Sequence, residues 1–318
     1  MKDLLINETF RVDYKIAYGG QAVVYAGTDI RTNEQVAIKL GHAGHGWVAV
    51  EDEGQIYAEI AGAPGVPRIL HAADDCSYYV LVQELLGPTL GELLQYCGGR
   101  FSLKTVLLVA DQAISRLQHV HGRGFMHQDI KPENLLMGSG ANVSTLYVVD
   151  YGLATRRTCA KAQEKRDPGT FLGTVTYAPI NSHHGLDHSW GDDLETLGYV
   201  LVYLLKGSLP WGGTALVLGE DDPRGLDRAT VTGKMKETMT PEEICADLPR
   251  EFATFLEYAR SLEFGAKPNY AYLRRLFRRL FTRKWFGYDH VYDWTEKRFR
   301  EMQEEMQEEM QEEMQEQH

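Results

Sequence analysis

Apolar positions along this chain change period near residue 90, and the change divides it in two. Before that point short β-branched runs dominate. Val23-Val24-Tyr25 and Val36-Ala37-Ile38 flank a turn-like stretch from Asp29 to Asn33, and Tyr78-Tyr79-Val80-Leu81-Val82 follows. These runs read as strands, and residues 48–61 between them have helical character. After Gly91, Leu103, Val106, Leu107, Ala110, Ala113, Ile114, Leu117 and Val120 recur at intervals of three and four, the spacing of a helix with one buried face. Asp193 to Leu205 is apolar on nearly all sides, which predicts a helix at the centre of a lobe. Phe252, Phe255, Leu256, Ala259 and Leu262 mark another helix. The pattern predicts an α+β chain of two lobes, β-rich then helical, joined near Glu84 to Gly91.

Two further periodic segments have more than one reading. Leu273, Leu276, Phe277, Leu280 and Phe281 form an apolar stripe ringed by Arg274, Arg275, Arg278, Arg279, Arg283 and Lys284. It suits a last core helix with snorkelling arginines, and also a basic helix for membranes or acidic partners. Residues 301–316 repeat Met-Gln-Glu-Glu, with Met302, Met306, Met310 and Met314 at period four. Such a stripe drifts about 40° per repeat around a straight helix and makes a poor heptad seam. A solvated low-complexity helix is the plain expectation; a Met stripe that binds a partner is the other.

The chain has 318 residues, 43% hydrophobic and 25% charged, which excludes global disorder and leaves room for a large core. The net charge is −12, but eight glutamates lie in residues 301–318, so residues 1–300 carry only −4. No broad basic footprint for nucleic acid is present. Cys76, Cys97, Cys159 and Cys245 are scattered, which argues against a disulfide framework or zinc ribbon and suits a reducing compartment, cytoplasmic or nuclear. The longest strongly apolar stretch, Tyr199 to Leu205, is too short to span a bilayer, and the opening MKDLLINETF does not resemble a secretory signal. His183, His184 and His188 cluster without a cysteine or spaced carboxylate, so a metal site is not expected there.

The densest chemistry is Met126-His127-Gln128-Asp129-Ile130-Lys131-Pro132-Glu133-Asn134, followed by Val148-Val149-Asp150-Tyr151-Gly152. Phosphoryl transfer needs such a set. One carboxylate receives the proton of the attacking hydroxyl, a lysine offsets phosphate charge, and an asparagine and a second aspartate hold Mg²⁺.

These segments resemble the protein-kinase catalytic loop H-R-D-x-K-x-x-N and the metal-binding D-F-G. The resemblance implies a bilobal protein-kinase fold using ATP and Mg²⁺. Asp129, Lys131 and Asn134 would be catalytic, and Asn134 and Asp150 would hold the metal. Val36-Ala37-Ile38-Lys39 reads as the V-A-I-K strand, with Lys39 reaching the α/β-phosphates. Its partner is sought among Glu51, Glu53 and Glu59, and Glu53 is chosen because Glu53-Gly54-Gln55-Ile56-Tyr57 is similar to the segment E-S-K-I-Y. Residues 17–24 stand at the glycine-rich lid with Gly19 and Val24 kept and Ala17 and Ala22 replacing the first and third glycines. Added methyls fit only if those residues avoid positive φ. The expected nucleotide site also takes in Ile16, Ala37, Glu84 and the Leu86 backbone, with Gln83 as gatekeeper.

Longer stretches narrow the resemblance to the casein kinase I family of Ser/Thr protein kinases. They are Glu84-Leu85-Leu86-Gly87-Pro88-Thr89-Leu90, Phe101 to Leu108, Asn134 to Gly138, Tyr177-Ala178-Pro179-Ile180-Asn181, Asp192 to Tyr199, Gly207 to Trp211, Lys267 to Tyr270 and Val291 to Trp294. The implied organisation is a short extension over residues 1–11, a kinase domain over 12–297 (first lobe 12–84, second lobe 91–297), and a tail over 298–318. The implied protein is a monomer acting on protein substrates, usually without activation-loop phosphorylation, and Asp193 would brace the catalytic loop.

Several residues depart from the family. Gln128 replaces the arginine that clamps a phosphorylated activation loop in many kinases, which predicts no switch of that kind. Tyr151 replaces phenylalanine and brings a hydroxyl that wants a partner. Thr176 stands where the family has an arginine that binds a substrate phosphate, and residues 219–225 insert three acids. A weaker preference for phosphate-primed or acidic substrates is expected, with Arg156, Arg157, Lys161, Lys165 and Arg166 as partial compensation. Two other readings are open: a kinase-fold scaffold with weak or no catalysis, and a small-molecule kinase on the same fold.

Overall fold

The computed structural model describes residues 4–19, 22–42, 45–75, 77–157, 163–166, 171–212 and 228–316. The expected insertion at 219–225 and Lys161 lie outside these residues. The first lobe is a six-stranded antiparallel sheet of β1 (Leu5–Ile6), β2 (Phe10–Tyr18), β3 (Ala22–Asp29), β4 (Gln35–Gly41), β5 (Ile69–Asp75) and β6 (Tyr78–Glu84), in the order β1-β2-β3-β4-β6-β5. Helix α1 (His45–Ile60) packs against β4 and β6. Alternation along β4 and β6 puts Val36, Ile38, Val80 and Val82 into a small core with Ile6, Phe10 and Val12. Phe10 and Ile6 belong to that core, and β2 begins before residue 12. The expected boundary between residues 11 and 12 therefore falls inside a strand.

The second lobe begins with α2 (Leu90–Tyr96), whose Thr89 and Glu92 form a reciprocal capping box. It continues with α3 (Leu103–Gly122), strands β7 (Phe125–Met126), β8 (Leu135–Met137), β9 (Leu146–Val148) and β10 (Thr155–Arg156), and helices α4 (Ile180–His183) and α5 (Trp190–Lys206). Helices α6 (Arg228–Thr238), α7 (Pro241–Ile244), α8 (Arg250–Ser261), α9 (Tyr270–Arg283) and α10 (Asp293–Glu316) complete it. Helix α5 is the axis. Ser189 and Asp192 cap its start, and Gly207 at φ 75° ends it, the left-handed turn that favours glycine. Leu194, Leu197, Val200, Leu201 and Leu204 are all fully buried. At Gly198 a Cβ would lie 2.4 Å from Leu256 Cδ2, so the missing side chain is what lets α8 approach.

The apolar stripe of α9 faces inward, with Leu273, Phe277, Leu280 and Phe281 buried. Arg274 and Arg278 both bind Asp111 of α3, so the core-helix reading fits this face. The Met-Gln-Glu-Glu repeat is helical through Glu316 and continuous with α10, so the expected boundary at 297/298 falls within one helix. Met302, Met306 and Met310 are exposed on it. Asp293 anchors the helix start by accepting from Ser102 N at 2.5 Å and Ser102 Oγ at 2.6 Å, at the N-cap of α3. Among the described residues no helix is long and apolar enough to cross a membrane.

Candidate active site

Three strand ends and one loop meet between the lobes. Lys39 lies in β4, and its Nζ bridges Glu53 Oε2 of α1 at 2.5 Å and Asp150 Oδ1 of the second lobe at 2.7 Å. Of the three acids weighed for Lys39, Glu53 is the one that faces it. Glu59 pairs with Arg156 instead. Burial opposes charge on Lys39, but the two carboxylates outweigh it and hold the ammonium above its usual range. Burial pushes the Glu53 carboxyl up, whereas for Asp150 the Lys39 charge prevails over burial and holds it down. Glu53 is only 2% exposed and also accepts from Tyr151 N at 3.2 Å. Removing its cation would leave a buried charge unpaired, a loss of about 3–5 kcal/mol for such pairs.

The loop from His127 to Asn134 is held from beneath. Asp193 of α5 accepts from His127 N at 2.7 Å and Gln128 N at 2.8 Å, and its Oδ2 lies 2.8 Å from His121 Nε2. Burial works against the Asp193 charge, but these bonds outweigh it and hold the carboxyl low. Gln128 has φ 69° and Asp150 φ 66°, conformations costing about 1–3 kcal/mol each unless the surroundings enforce them. For Gln128 the enforcing bond is the one to Asp193. Gln128 Oε1 accepts from Thr155 Oγ1 at 3.2 Å, so a neutral bond stands where an arginine would face an anion.

Around Asp129 the contacts are close. Its Oδ2 accepts from Lys131 Nζ at 2.6 Å and its Oδ1 from Thr174 Oγ1 at 2.8 Å. Asn134 Nδ2 donates to the Asp129 carbonyl at 2.9 Å, which turns the Asn134 amide oxygen to the other side. That oxygen and the half-exposed Asp150 carboxylate are hard oxygen donors of the type Mg²⁺ takes, so the residues present fit that ion. Tyr151 packs edge-on to Tyr57, with ring centres 5.0 Å apart, and against His127 at 4.9 Å. Tyr57 Oη accepts from Asp150 N at 3.3 Å. These rings join α1, the catalytic loop and the Asp150 turn.

The expected nucleotide residues line the sheet side of the same gap. Ile16 and Ala17 lie at the end of β2 with Gly19 just after it, and Ala17 pairs with Val24 of β3. Gly19 N donates to Ala22 O at 2.9 Å. Neither Ala17 nor Ala22 has positive φ, so both methyls are accommodated without backbone strain. Ala37 is buried opposite Gln83. Glu84 ends β6, where its Oε1 accepts from Arg68 N. Among the described residues neither backbone group of Leu86 has a hydrogen-bond partner.

Thr174 and Tyr57 were not singled out from the sequence, although Tyr57 closes the segment quoted for Glu53 and Thr174 lies two residues before Thr176. The Thr176 hydroxyl, at the position where the resemblance expected an arginine, accepts from Arg228 Nη2 of α6 at 3.1 Å, so a guanidinium reaches that spot from elsewhere in the chain. His184 pairs with Glu237 and buried His188 lies 2.8 Å from Ser182 Oγ; no metal-binding group is found among the described residues. A sequence model of the family described as "Protein kinase domain" matches residues 10–259. That span holds every residue of the two carboxylate clusters above, and the chain belongs to the protein kinase domain family.

Proposed function

We propose that this chain is a Ser/Thr protein kinase of casein kinase I type, transferring the γ-phosphate of ATP to protein hydroxyls with Mg²⁺. The observation that carries the reading is the meeting of the Lys39–Glu53–Asp150 bridge with Asp129, Lys131 and Thr174 across one gap. Lys39, held by Glu53, positions the α/β-phosphates, while Ile16, Ala17, Gly19, Ala22, Val24, Ala37, Glu84 and Leu86 surround the nucleotide. The substrate hydroxyl donates to the Asp129 carboxylate, which orients it for attack and receives its proton. The Lys131 ammonium, 2.6 Å from that carboxylate, offsets the charge on the group in flight. A magnesium ion held by Asn134 and Asp150 would supply further neutralisation of phosphate charge.

Thr174 supports the Ser/Thr choice. Its hydroxyl occupies one oxygen of Asp129 and narrows the approach, which favours a short aliphatic hydroxyl over a tyrosine ring. Thr176 gives a neutral hydroxyl at the family's phosphate-reading position, so preference for primed substrates is weaker than in that family, with Arg228 supplying part of the lost charge. The neutral Gln128–Thr155 bond makes activity independent of activation-loop phosphorylation. The protein acts as a monomer in the cytoplasm or nucleus, and the kinase domain spans residues 12–297 with the two boundary elements noted above.

The test is phosphate transfer with MgATP to matched serine, threonine and tyrosine peptides, each serine peptide made with and without an upstream phosphoserine. Serine and threonine transfer with a modest gain from priming is expected. Transfer to tyrosine alone would overturn the Ser/Thr assignment, and a strong gain from priming would overturn the substrate reading.

A further inference from the structure

Helix α6 carries a lysine where a lysine is costly. Lys236 is fully buried, with no solvent contact. Its Nζ donates to Val175 O at 2.8 Å and to Ala178 O at 2.7 Å, and lies 3.2 Å from His183 Nε2. Among the described residues no carboxylate accepts from it. The rings of Tyr199 and Trp211 face the ammonium at 5.2 and 5.1 Å, the arrangement of a cation over aromatic faces. Burial pushes the ammonium down to about 7, with the Glu195 charge opposing and the Arg260 charge adding to the shift. A buried charge without a directly bonded carboxylate costs several kcal/mol, so the position of Lys236 calls for a role.

The two carbonyls it holds belong to one turn. Thr174 opens that turn, its carbonyl accepts from both Tyr177 N and Ala178 N at 2.8 Å, and its side chain touches Asp129. Between the two pinned carbonyls, Thr176 O accepts from Trp211 Nε1 at 2.8 Å. Three anchor points, at the carbonyls of Val175, Thr176 and Ala178, therefore hold the turn that Thr174 ties to Asp129. A protein hydroxyl that reaches Asp129 must bring its flanking backbone past this turn.

We propose that Lys236 is a positioning residue for the protein substrate, fixing the turn at residues 174–178 against which the backbone flanking the acceptor hydroxyl lies. The proposal rests on the protein-kinase reading above. It requires that losing the ammonium loosens the peptide side of the gap and leaves the nucleotide side, on β2 to β4, as it was.

The variant is Lys236→Met, which keeps the length of the side chain and removes the donors. The readouts are the Kd of a fluorescent ATP analogue, and KM and kcat for a serine peptide. An unchanged nucleotide Kd with a peptide KM raised about tenfold, and kcat changed less, is expected. An unchanged peptide KM, or equal losses in nucleotide and peptide binding, would overturn the proposal. Should Lys236→Met not fold, His183→Phe removes one contact of the same ammonium; a peptide KM raised about threefold at constant nucleotide Kd supports the proposal, and an unchanged KM overturns it. If the wild-type protein transfers phosphate to no peptide while binding nucleotide, it is the kinase reading that fails.

Discussion

The hydroxyl of Tyr151 is buried with no hydrogen-bond partner among the described residues, while the ring that carries it is 1% exposed and packed between Tyr57 and His127. The perturbation is Tyr151→Phe, which deletes that one oxygen. Leaving a buried hydroxyl unpaired costs about 1–3 kcal/mol. The space left behind is smaller than a methyl group and returns about 0.5–1 kcal/mol of that gain as lost contact. The ring contacts are unchanged, so the net effect is a stabilisation of about 1 kcal/mol. For a chain of this size that is a rise in Tm of about 2 °C. Urea unfolding followed by tryptophan fluorescence, with a thermal melt beside it, measures the change. Phosphate transfer should stay within about twofold of wild type, because Asp150 keeps both its Lys39 bridge and its Tyr57 bond. A loss of 1 kcal/mol or more would refute the reasoning, since the hydroxyl would then have a partner.

Other perturbations separate the site from its frame. Lys39→Met removes the cation between Glu53 and Asp150, so transfer should fall about 100-fold or more and Tm should drop, read by a labelled-ATP assay and a melt. Asp293→Ala removes the acceptor at the start of α3 and should lower stability by about 1 kcal/mol with kcat unchanged, because the contact lies far from Asp129. The folded state holds Lys236 at about 7 against 10.5 for the free side chain, so between those values the unfolded chain binds more protons. Its contribution is therefore complete above 10.5 and lost as pH falls through about 7. Stability should rise by about 2 kcal/mol from pH 7.5 to 9.5, and Lys236→Met should flatten that slope. The groups facing Lys236 are Glu195, Tyr199, Arg260 and His183; a slope equal in wild type and variant would assign it to other groups.

Local pattern made the lobes legible. Short β-branched runs marked β3, β4 and β6, the three-and-four spacing marked α3, and the all-round apolar run from Asp193 marked α5, which the Ser189 cap extends back to Trp190. Motif spacing brought Asp129, Lys131, Asn134 and Asp150 together, and similarity of one short segment singled out Glu53. What escaped notice depends on distances between remote parts of the chain. Thr174 meets Asp129 across 45 positions, and Lys236 meets Ala178 across 58, and nothing in their immediate neighbours distinguishes them from surface residues. Arg228 reaches Thr176 from a helix with little apolar patterning, so it was not among the basic residues expected to offset the missing arginine at position 176. The extent of β2 escaped for a related reason: Phe10 is buried by its partners in the sheet, not by any run of its own.

The central claim is that Asp129 directs a metal-dependent phosphoryl transfer to protein hydroxyls. The most direct measurement is transfer from γ-labelled ATP with Mg²⁺ to casein and to the chain itself, comparing wild type with Asp129→Asn and Asp150→Asn under conditions where all three are folded. Transfer by wild type and its loss by at least about 100-fold in both variants are expected. No transfer by folded wild type, or transfer that both variants retain, would contradict that claim.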